Sequence, residues 1–149
     1  MLEERLSKRC LYALRAIFEL ALRSPSGPFT AQDIALAQKI PARFLQLILI
    51  ELKHADIVES VRGNEGGYIL ARKAKDITIG QVIRAIESPH NQTRSNLWSV
   101  RGLAGDFAFS KTWNQAEKAV SSLLDQITFA DLVEQDKELR QNYVSDYAI

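Results

Sequence analysis

The sequence predicts a mainly α-helical chain with one small β-hairpin, and three observations support this prediction. Apolar residues recur at three- and four-residue steps over much of the chain, which is the spacing of one helix face. Three threonines each precede an Asp or Gln by three residues, beside apolar residues that can pack across the first turn, a pattern typical of helix starts. One glycine-rich segment lies between two short apolar runs, as in a hairpin.

The chain has the length and composition of one folded domain. Of its 149 residues, 46% are hydrophobic and 25% are charged, which argues against a disordered protein. The charge is unevenly distributed, because residues 1–112 contain 16 Lys and Arg and 11 Asp and Glu, whereas residues 113–149 contain 3 and 7. The basic first part favours binding to a polyanion, although scatter of surface charge would also explain it.

Several classes of protein are disfavoured. The one cysteine excludes an intrachain disulfide and a zinc or iron–sulfur site held by several thiolates of one chain. No nucleophile elbow, paired carboxylates, phosphate-binding loop or metal motif indicates an enzyme. His54 and His90 have no second ligand at metal spacing. Because no segment has the length of a membrane span or the form of a signal peptide, we expect a cytoplasmic protein without membrane contact.

The first two helices are predicted from periodicity and capping. Apolar residues at helical spacing predict a helix over residues 4–23, with Cys10 on its apolar stripe as a core residue. Residues 24–28 contain two prolines and a glycine, which end this helix. Thr30, with Asp33 three residues later, begins the second helix.

A third helix and a hairpin follow. Pro41, at the first helical position, begins a segment that is apolar around much of its circumference. We therefore expect this helix to be packed on two sides until it ends near His54. The β-branched run at residues 57–61 and the run at residues 68–70 flank a glycine-rich turn, which predicts a β-hairpin.

The second half of the chain is predicted to hold two further helices and a long one between them. Thr78 and Gln81 begin a helix that ends near residue 87, and residues 88–109 are predicted to form a loop. The last helix starts at Thr128, with Asp131 in its first turn, and is expected to be short. Residues 138–149 are predicted to be a frayed polar tail.

The long helix is predicted from residue 110 to about residue 125. Its apolar residues alternate at steps of three and four, which is typical of a seam against a partner helix. The same stripe would also serve to cover the core of a single chain. The predicted dimerisation residues are Trp113, Ala116, Val120, Leu123, Leu124 and Ile127.

The order helix, helix, short turn, helix, hairpin is that of a winged helix-turn-helix. In this fold the second helix of the pair enters the major groove of DNA, and the hairpin reaches a flanking groove or phosphates. We therefore expect residues 1–87 to form a winged helix-turn-helix DNA-binding domain whose first helix also contributes to a dimer. Residues 88–109 are then a loop, and residues 110–149 a dimerisation helix and C-terminal segment.

Three stretches resemble the bacterial Rrf-type winged-helix transcriptional regulators. They are residues 40–46 (Ile-Pro-Ala-Arg-Phe-Leu-Gln), residues 61–70 with the motif Arg-Gly-Asn-Glu-Gly-Gly-Tyr, and residues 77–87. The resemblance covers roughly residues 5–135. The family includes the iron–sulfur cluster regulator and the cysteine metabolism repressor. The resemblance implies a homodimer, formed largely by the long helix, that binds imperfect palindromic operators.

The sequence departs from this family at several positions. Sensor members carry three cysteines in the loop that corresponds to residues 88–109, and this chain has none there. Phe107 and Ser110 stand where the last cysteine and the following polar ligand would fall, so we expect no cluster and no other cofactor. Lys39 occupies a turn where the family often has glycine, and Glu65 places an acid at the hairpin tip.

The candidate DNA-binding residues lie in the helix pair and the hairpin. Arg43 offers paired donors to guanine, and Gln46 suits adenine. Arg62 suits a narrow minor groove, where the potential is most negative. Thr30 and Gln32 lie at a helix start, where phosphates bind. Each of these is alternatively a solvated surface residue. The predicted set is Thr30, Gln32, Arg43, Phe44, Gln46, Arg62, Gly63, Gly66 and Gly67.

These observations together predict a homodimeric, sequence-specific DNA-binding transcriptional regulator, and a repressor without an iron–sulfur cluster. The partners expected are double-stranded DNA, a second copy of the chain and an unknown small-molecule or protein effector. One alternative is a winged-helix module that has lost DNA binding and binds a protein. Another is a regulator with a ligand pocket near residues 88–109, lined by Trp98, Phe107 and Phe109. The alternative for these three aromatic residues, which we prefer, is that they fold the loop onto the long helix.

Overall fold

The computed structural model describes residues 6–87 and 101–147. Within these ranges none of the helices has the length and apolar character needed to cross a membrane. In chain order the elements are α1 (Lys8–Arg23), α2 (Ala31–Gln38), α3 (Ala42–His54), β1 (Val58–Val61), β2 (Gly67–Leu70), α4 (Ile79–Ile86), α5 (Asp106–Gln126) and α6 (Phe129–Tyr147), with a short 3-10 helix at Ala74–Asp76. The predicted mainly helical fold with one hairpin is confirmed.

Three predicted helix starts are closed by reciprocal side-chain and backbone hydrogen bonds. At α2 the Asp33 backbone N–H donates to Thr30 Oγ1 (3.1 Å), and the Thr30 N–H donates to the Asp33 carboxylate (3.0 Å). Hydrogen bonds from Thr30 hold the pKa of Asp33 below its usual value. The same arrangement forms in two other pairs, Thr78 with Gln81 and Thr128 with Asp131.

The core is built around α1, which contacts α2, α3, α4 and α6. Its apolar stripe, Cys10 included, is buried as predicted. An ion pair between Arg9 and Glu51 links α1 to α3 at the edge of this core. The largest fully buried side chains are Ile17, Ile34, Leu45, Ile48, Leu49, Leu52, Ile57, Ile77, Val82 and Phe129.

The hairpin, which we call the wing (residues 58–70), is antiparallel and is attached to the start of α2. Val58 pairs with Leu70 and Val61 with Gly67. Phe29 and Tyr68 exchange two further backbone hydrogen bonds of 3.1 and 2.8 Å, so the segment before α2 lies beside β2. A Cβ atom at Gly67 would overlap the Phe29 carbonyl group. Glycine is therefore required at this close approach.

Three element boundaries differ from prediction. The first helix begins at Lys8 rather than residue 4, because the Ser7 hydroxyl accepts the Cys10 N–H (3.1 Å) and caps the helix there. Pro41 immediately precedes α3 instead of occupying its first position. The long helix begins at Asp106 rather than residue 110, since the Asp106 carboxylate accepts the N–H groups of Arg101 (2.8 Å) and Leu103 (3.0 Å). Residues 88–100 of the predicted loop lie outside the described residues.

The prediction of a short last helix with a frayed tail is wrong. Helix α6 runs over 19 residues to Tyr147. No Gly or Pro follows residue 105, so the segment after Thr128 contains neither of the residues that end a helix most strongly. An ion pair between Arg140 and Asp136 (2.8 Å), four residues apart, supports the helix in the region predicted to fray.

The left-handed backbone of Lys39 leads to a stability prediction. Lys39 ends α2 with φ 52° and ψ 46°, a conformation that costs a residue with a Cβ about 1–2 kcal/mol. Allowing for the extra chain entropy of glycine, Lys39→Gly is expected to raise the free energy of unfolding by about 1 kcal/mol in urea denaturation. Lys39→Ala removes the same charge but keeps the Cβ, so it should give no such gain. Equal stabilisation by both variants would contradict the explanation.

Candidate nucleic-acid interface

The turn between α2 and α3 is fixed by backbone and core contacts. The Ile40 N–H donates to the Ala35 carbonyl oxygen (2.9 Å), which closes the end of α2. The Ile40 side chain is buried beside this turn. Leu45 then donates to the Pro41 carbonyl oxygen (3.1 Å) and starts α3. These contacts fix the short connection between the two helices, which in a helix-turn-helix precedes the helix that reads DNA.

A buried carboxylate that the sequence reasoning missed holds α2 against α1. Glu19 is 5% exposed, and its two oxygens accept hydrogen bonds from Arg23 Nε (2.6 Å) and Gln38 Nε2 (2.7 Å). The Arg23 guanidinium also lies 4.8 Å from the centre of the Phe29 ring. The spacing of Glu19 and Arg23, four residues apart, is the signal in the sequence that indicates part of this network.

Helix α3 buries one face and exposes the face that carries the predicted base-reading residues. Leu45, Ile48, Leu49 and Leu52 point into the core. Arg43, Phe44 and Gln46 are exposed, with the Phe44 ring tilted against Tyr12 at 6.4 Å between centroids. The expectation that α3 is packed on two sides is wrong for the single chain, because its outward apolar residues remain in contact with solvent.

The wing exposes Arg62 at the end of β1. The tip is a tight turn in which the Gly66 N–H donates to the Gly63 carbonyl oxygen (3.0 Å). Gly63 has φ 121°, and a Cβ at Gly66 would overlap the Val61 carbonyl oxygen. These glycines are therefore explained by the turn itself. Glu65 is exposed at the tip, where it opposes the attraction of a phosphate.

The start of α2 has fewer free hydrogen-bond donors for a phosphate than the sequence suggests. The Thr30 N–H and Oγ1 are both used by the capping box with Asp33. The Asp33 carboxylate also adds a negative charge at this helix end. Gln32 remains exposed.

Basic residues surround the helix-turn-helix and the wing. Residues 39–75 contain seven Lys and Arg and four Asp and Glu. Lys53 Nζ donates to Ser60 Oγ (2.7 Å), which joins α3 to β1. Glu51, one of the four acids, is neutralised by Arg9. Residues 31–76, which include two further acids, have a formal excess of only one positive charge. Attraction of a polyanion would therefore depend on individual exposed cations rather than on a large net charge.

Helix α5 carries five of the six predicted dimerisation residues, and the sixth, Ile127, directly follows it. Its one buried residue is Asp106, so this 21-residue helix buries no apolar side chain in the core. Leu123 is 57% exposed, whereas Val120 and Leu124 are half-buried. An ion pair between Arg84 and Asp125 (2.8 Å) connects α5 to α4. The stripe is thus exposed at Trp113, Ala116 and Leu123 and partly covered by the same chain at its other three positions.

The structure describes two of the three aromatic residues that were assigned to the predicted loop. Phe107 and Phe109 belong to the first turns of α5, and both are exposed. The nearest depression is one face of α5, lined by Phe107, Ser110 and Lys111 among others. Trp98 and His90 lie outside the described residues.

Cys10 is buried in the core, and we expect its thiol to be unreactive in the folded protein. Burial first, and the charge of Glu87 second, raise the pKa of its thiol from 9.0 to about 12. We expect native protein at pH 8 to react with a disulfide reagent only as fast as it unfolds, and urea-unfolded protein to react at once. Because the folded chain retains the thiol proton to higher pH, the resulting stability is complete below pH 9.0 and is lost as the pH rises toward about 12. Rapid reaction of the native thiol would contradict this assignment.

The donor set does not fit an iron–sulfur cluster held by several thiolates. The chain has one cysteine, and this thiol is buried in the core. In the part of the chain that the structure describes, no group of three or more His, Cys, Asp and Glu is placed to hold a metal ion.

Comparison with known proteins gives consistent matches over most of the chain. A family model described as Rrf2, an iron-dependent transcriptional regulator, matches residues 6–135. The HTH-type transcriptional regulator IscR of Yersinia enterocolitica is 35% identical over 131 residues, covering 87% of this chain and 79% of that protein. The structure of T. potens IscR is 30% identical with a TM-score of 0.76, covering 90% and 89% of the two chains. That of CymR, the global cysteine regulator of B. subtilis, is 28% identical with a TM-score of 0.75, covering 87% and 96%.

Proposed function

The chain belongs to the Rrf2 family of DNA-binding transcriptional regulators, and from this premise we propose that it binds an imperfect palindromic operator as a homodimer and represses transcription there. The observation that carries the proposal is the exposed face of α3. Arg43 and Gln46 are exposed there, and Arg62 is exposed at the end of β1. Arg and Gln side chains match the hydrogen-bonding edges of guanine and adenine in the major groove.

The homodimer is supported by α5. A 21-residue helix without a buried apolar side chain gains stability when its exposed apolar row packs against a second copy. A two-fold axis through such a seam would present two α3 helices to one side of a duplex. Their recognition sites on DNA would then be related by the same two-fold axis, about one helical turn or a multiple of it apart.

Regulation is proposed to work without a thiolate-bound cluster. The single thiol is in the core, where its raised pKa opposes the ionised form that a metal requires. A signal would therefore reach this protein through another effector. Residues of α1 and α6 line an open surface depression of about 340 Å³ that is a candidate place for it. Repression follows from occlusion, since a dimer spanning two half-sites covers the DNA that polymerase must contact.

The proposal is tested by selecting duplexes from a random library and measuring affinity by fluorescence anisotropy. We expect a selected sequence with dyad symmetry, bound far more tightly than a shuffled duplex of the same composition. Addition of the protein should lower transcription in vitro from a promoter overlapping that sequence. Equal affinity for selected and shuffled duplexes at low salt would overturn the proposal. A stoichiometric protein captured by a chain that binds no DNA would favour an interaction module instead.

A further inference from the structure

The outward face of α3 is apolar beyond its first turn. Leu47 is 60% exposed and Ile50 is 50% exposed. Solvated helix faces are normally polar, so two large aliphatic side chains on one face of an amphipathic helix are unexpected. The structure shows that they are not used for core packing, because the buried face of α3 is formed by other residues.

Leu47 lies on the same face as the proposed base-reading arginine. It follows Arg43 by four residues, so the two side chains are stacked one turn apart on the helix surface. The rise between them is about 6 Å along the helix axis. Base pairs are spaced by about 3.4 Å, so a side chain at this position lies within about two base-pair steps of the pair that Arg43 contacts.

The surroundings of Leu47 favour DNA over a protein as the occupant of this face. The neighbours of Leu47 three residues to either side are the exposed apolar Phe44 and Ile50. Polar Gln46 immediately before it and Arg43 one turn before it are exposed as well. A partner protein with an apolar surface would have to desolvate these groups. The major groove satisfies them, and it also presents one apolar group, the 5-methyl of thymine.

We propose that Leu47 is a specificity-determining residue that contacts a thymine 5-methyl group within two base pairs of the pair read by Arg43. The inference rests on the proposed function and specifies its target: a half-site with a required thymine at this position. Ile50, one turn further from the helix start, extends the apolar row toward the edge of the groove.

Replacing thymine with uracil in the operator removes only the methyl group, which makes a direct test possible. Each thymine of one half-site of the selected duplex is changed to uracil in turn, and affinity is measured by anisotropy. We expect about fourfold weaker binding at one or two positions, which corresponds to about 0.8 kcal/mol for one buried methyl group. With Leu47→Ala the same uracil substitutions should change affinity by less than roughly twofold, the usual limit for uncoupled changes.

The matched control is Leu36→Ala. Leu36 is 73% exposed on α2, so this variant removes an exposed leucine outside the proposed contact and should keep the full effect of uracil. Both variants truncate exposed side chains and should fold normally. Absence of any specific duplex would refute the proposed function itself. Specific binding that is indifferent to uracil, or equally sensitive to it in Leu47→Ala, would overturn the role of Leu47 alone.

Discussion

Leu123→Asp is expected to convert the proposed homodimer into a monomer and to remove specific operator binding. Leu123 is 57% exposed on α5, a helix that buries no apolar side chain in the core of the described chain. A carboxylate placed between two such helices would lose its hydration without gaining a partner. Light scattering should give the mass of one chain for the variant and of two chains for the wild type.

The loss of affinity should be larger than a single contact can explain. In the dimer the second half-site binds intramolecularly, and this linkage raises affinity by about 10²- to 10⁴-fold. Leu36→Asp is the control for mass, because it introduces the same change on α2. If Leu123→Asp retains the mass of two chains, the seam lies elsewhere. If the monomer binds a full palindrome as tightly as the dimer, the two-fold model is wrong.

Arg62→Ala is expected to weaken operator binding by about 5- to 150-fold, the range for loss of a specific arginine contact. Arg62 is exposed at the end of β1, where the wing projects from the domain. The binding energy of a guanidinium in the minor groove depends on the groove width, and A·T-rich DNA has a narrow groove. The variant should therefore also lose its preference for A·T pairs at the flank of the site. A contact to phosphate alone would instead lower the salt slope of binding by about one without changing preference.

Arg140→Ala is the matched control for charge, since Arg140 is exposed on α6 and already paired with Asp136. It should leave affinity and salt slope almost unchanged. Glu65→Gln at the wing tip should change the affinity for DNA in the opposite direction to Arg62→Ala. It should tighten binding modestly, because it removes a negative charge near the duplex. Equal losses in Arg62→Ala and Arg140→Ala would indicate a general charge effect and contradict a specific wing contact.

The features that the sequence predicted well are those that depend on a few neighbouring residues. The capping boxes at Thr30, Thr78 and Thr128 each need one residue three positions later. The hairpin around Arg62 depends on its own glycine turn and β-branched flanks. These local signals sufficed to predict the order of elements, and that order predicted the fold class.

The features that were not predicted depend on groups that are distant in sequence, or on backbone contacts that no residue pattern indicates. The hydrogen bond from Gln38 to buried Glu19 joins residues 19 positions apart. The early start of α5 depends on Asp106 accepting two backbone N–H groups from the preceding turn. The apolar circumference of α3 was interpreted as packing on two sides, because composition does not distinguish a core face from an apolar face that meets a ligand.

The backbone link between Phe29 and Tyr68 has a consequence for the geometry of the proposed target. It joins the wing to the start of α2 through two hydrogen bonds and through the close contact between Gly67 and the Phe29 carbonyl group. The arginine on α3 and the arginine on the hairpin are therefore held at a constant offset within one protomer. An operator should consequently tolerate no inserted base pair between the major-groove bases and the minor-groove flank of a half-site, whereas the gap between half-sites is set separately by how two α5 helices cross.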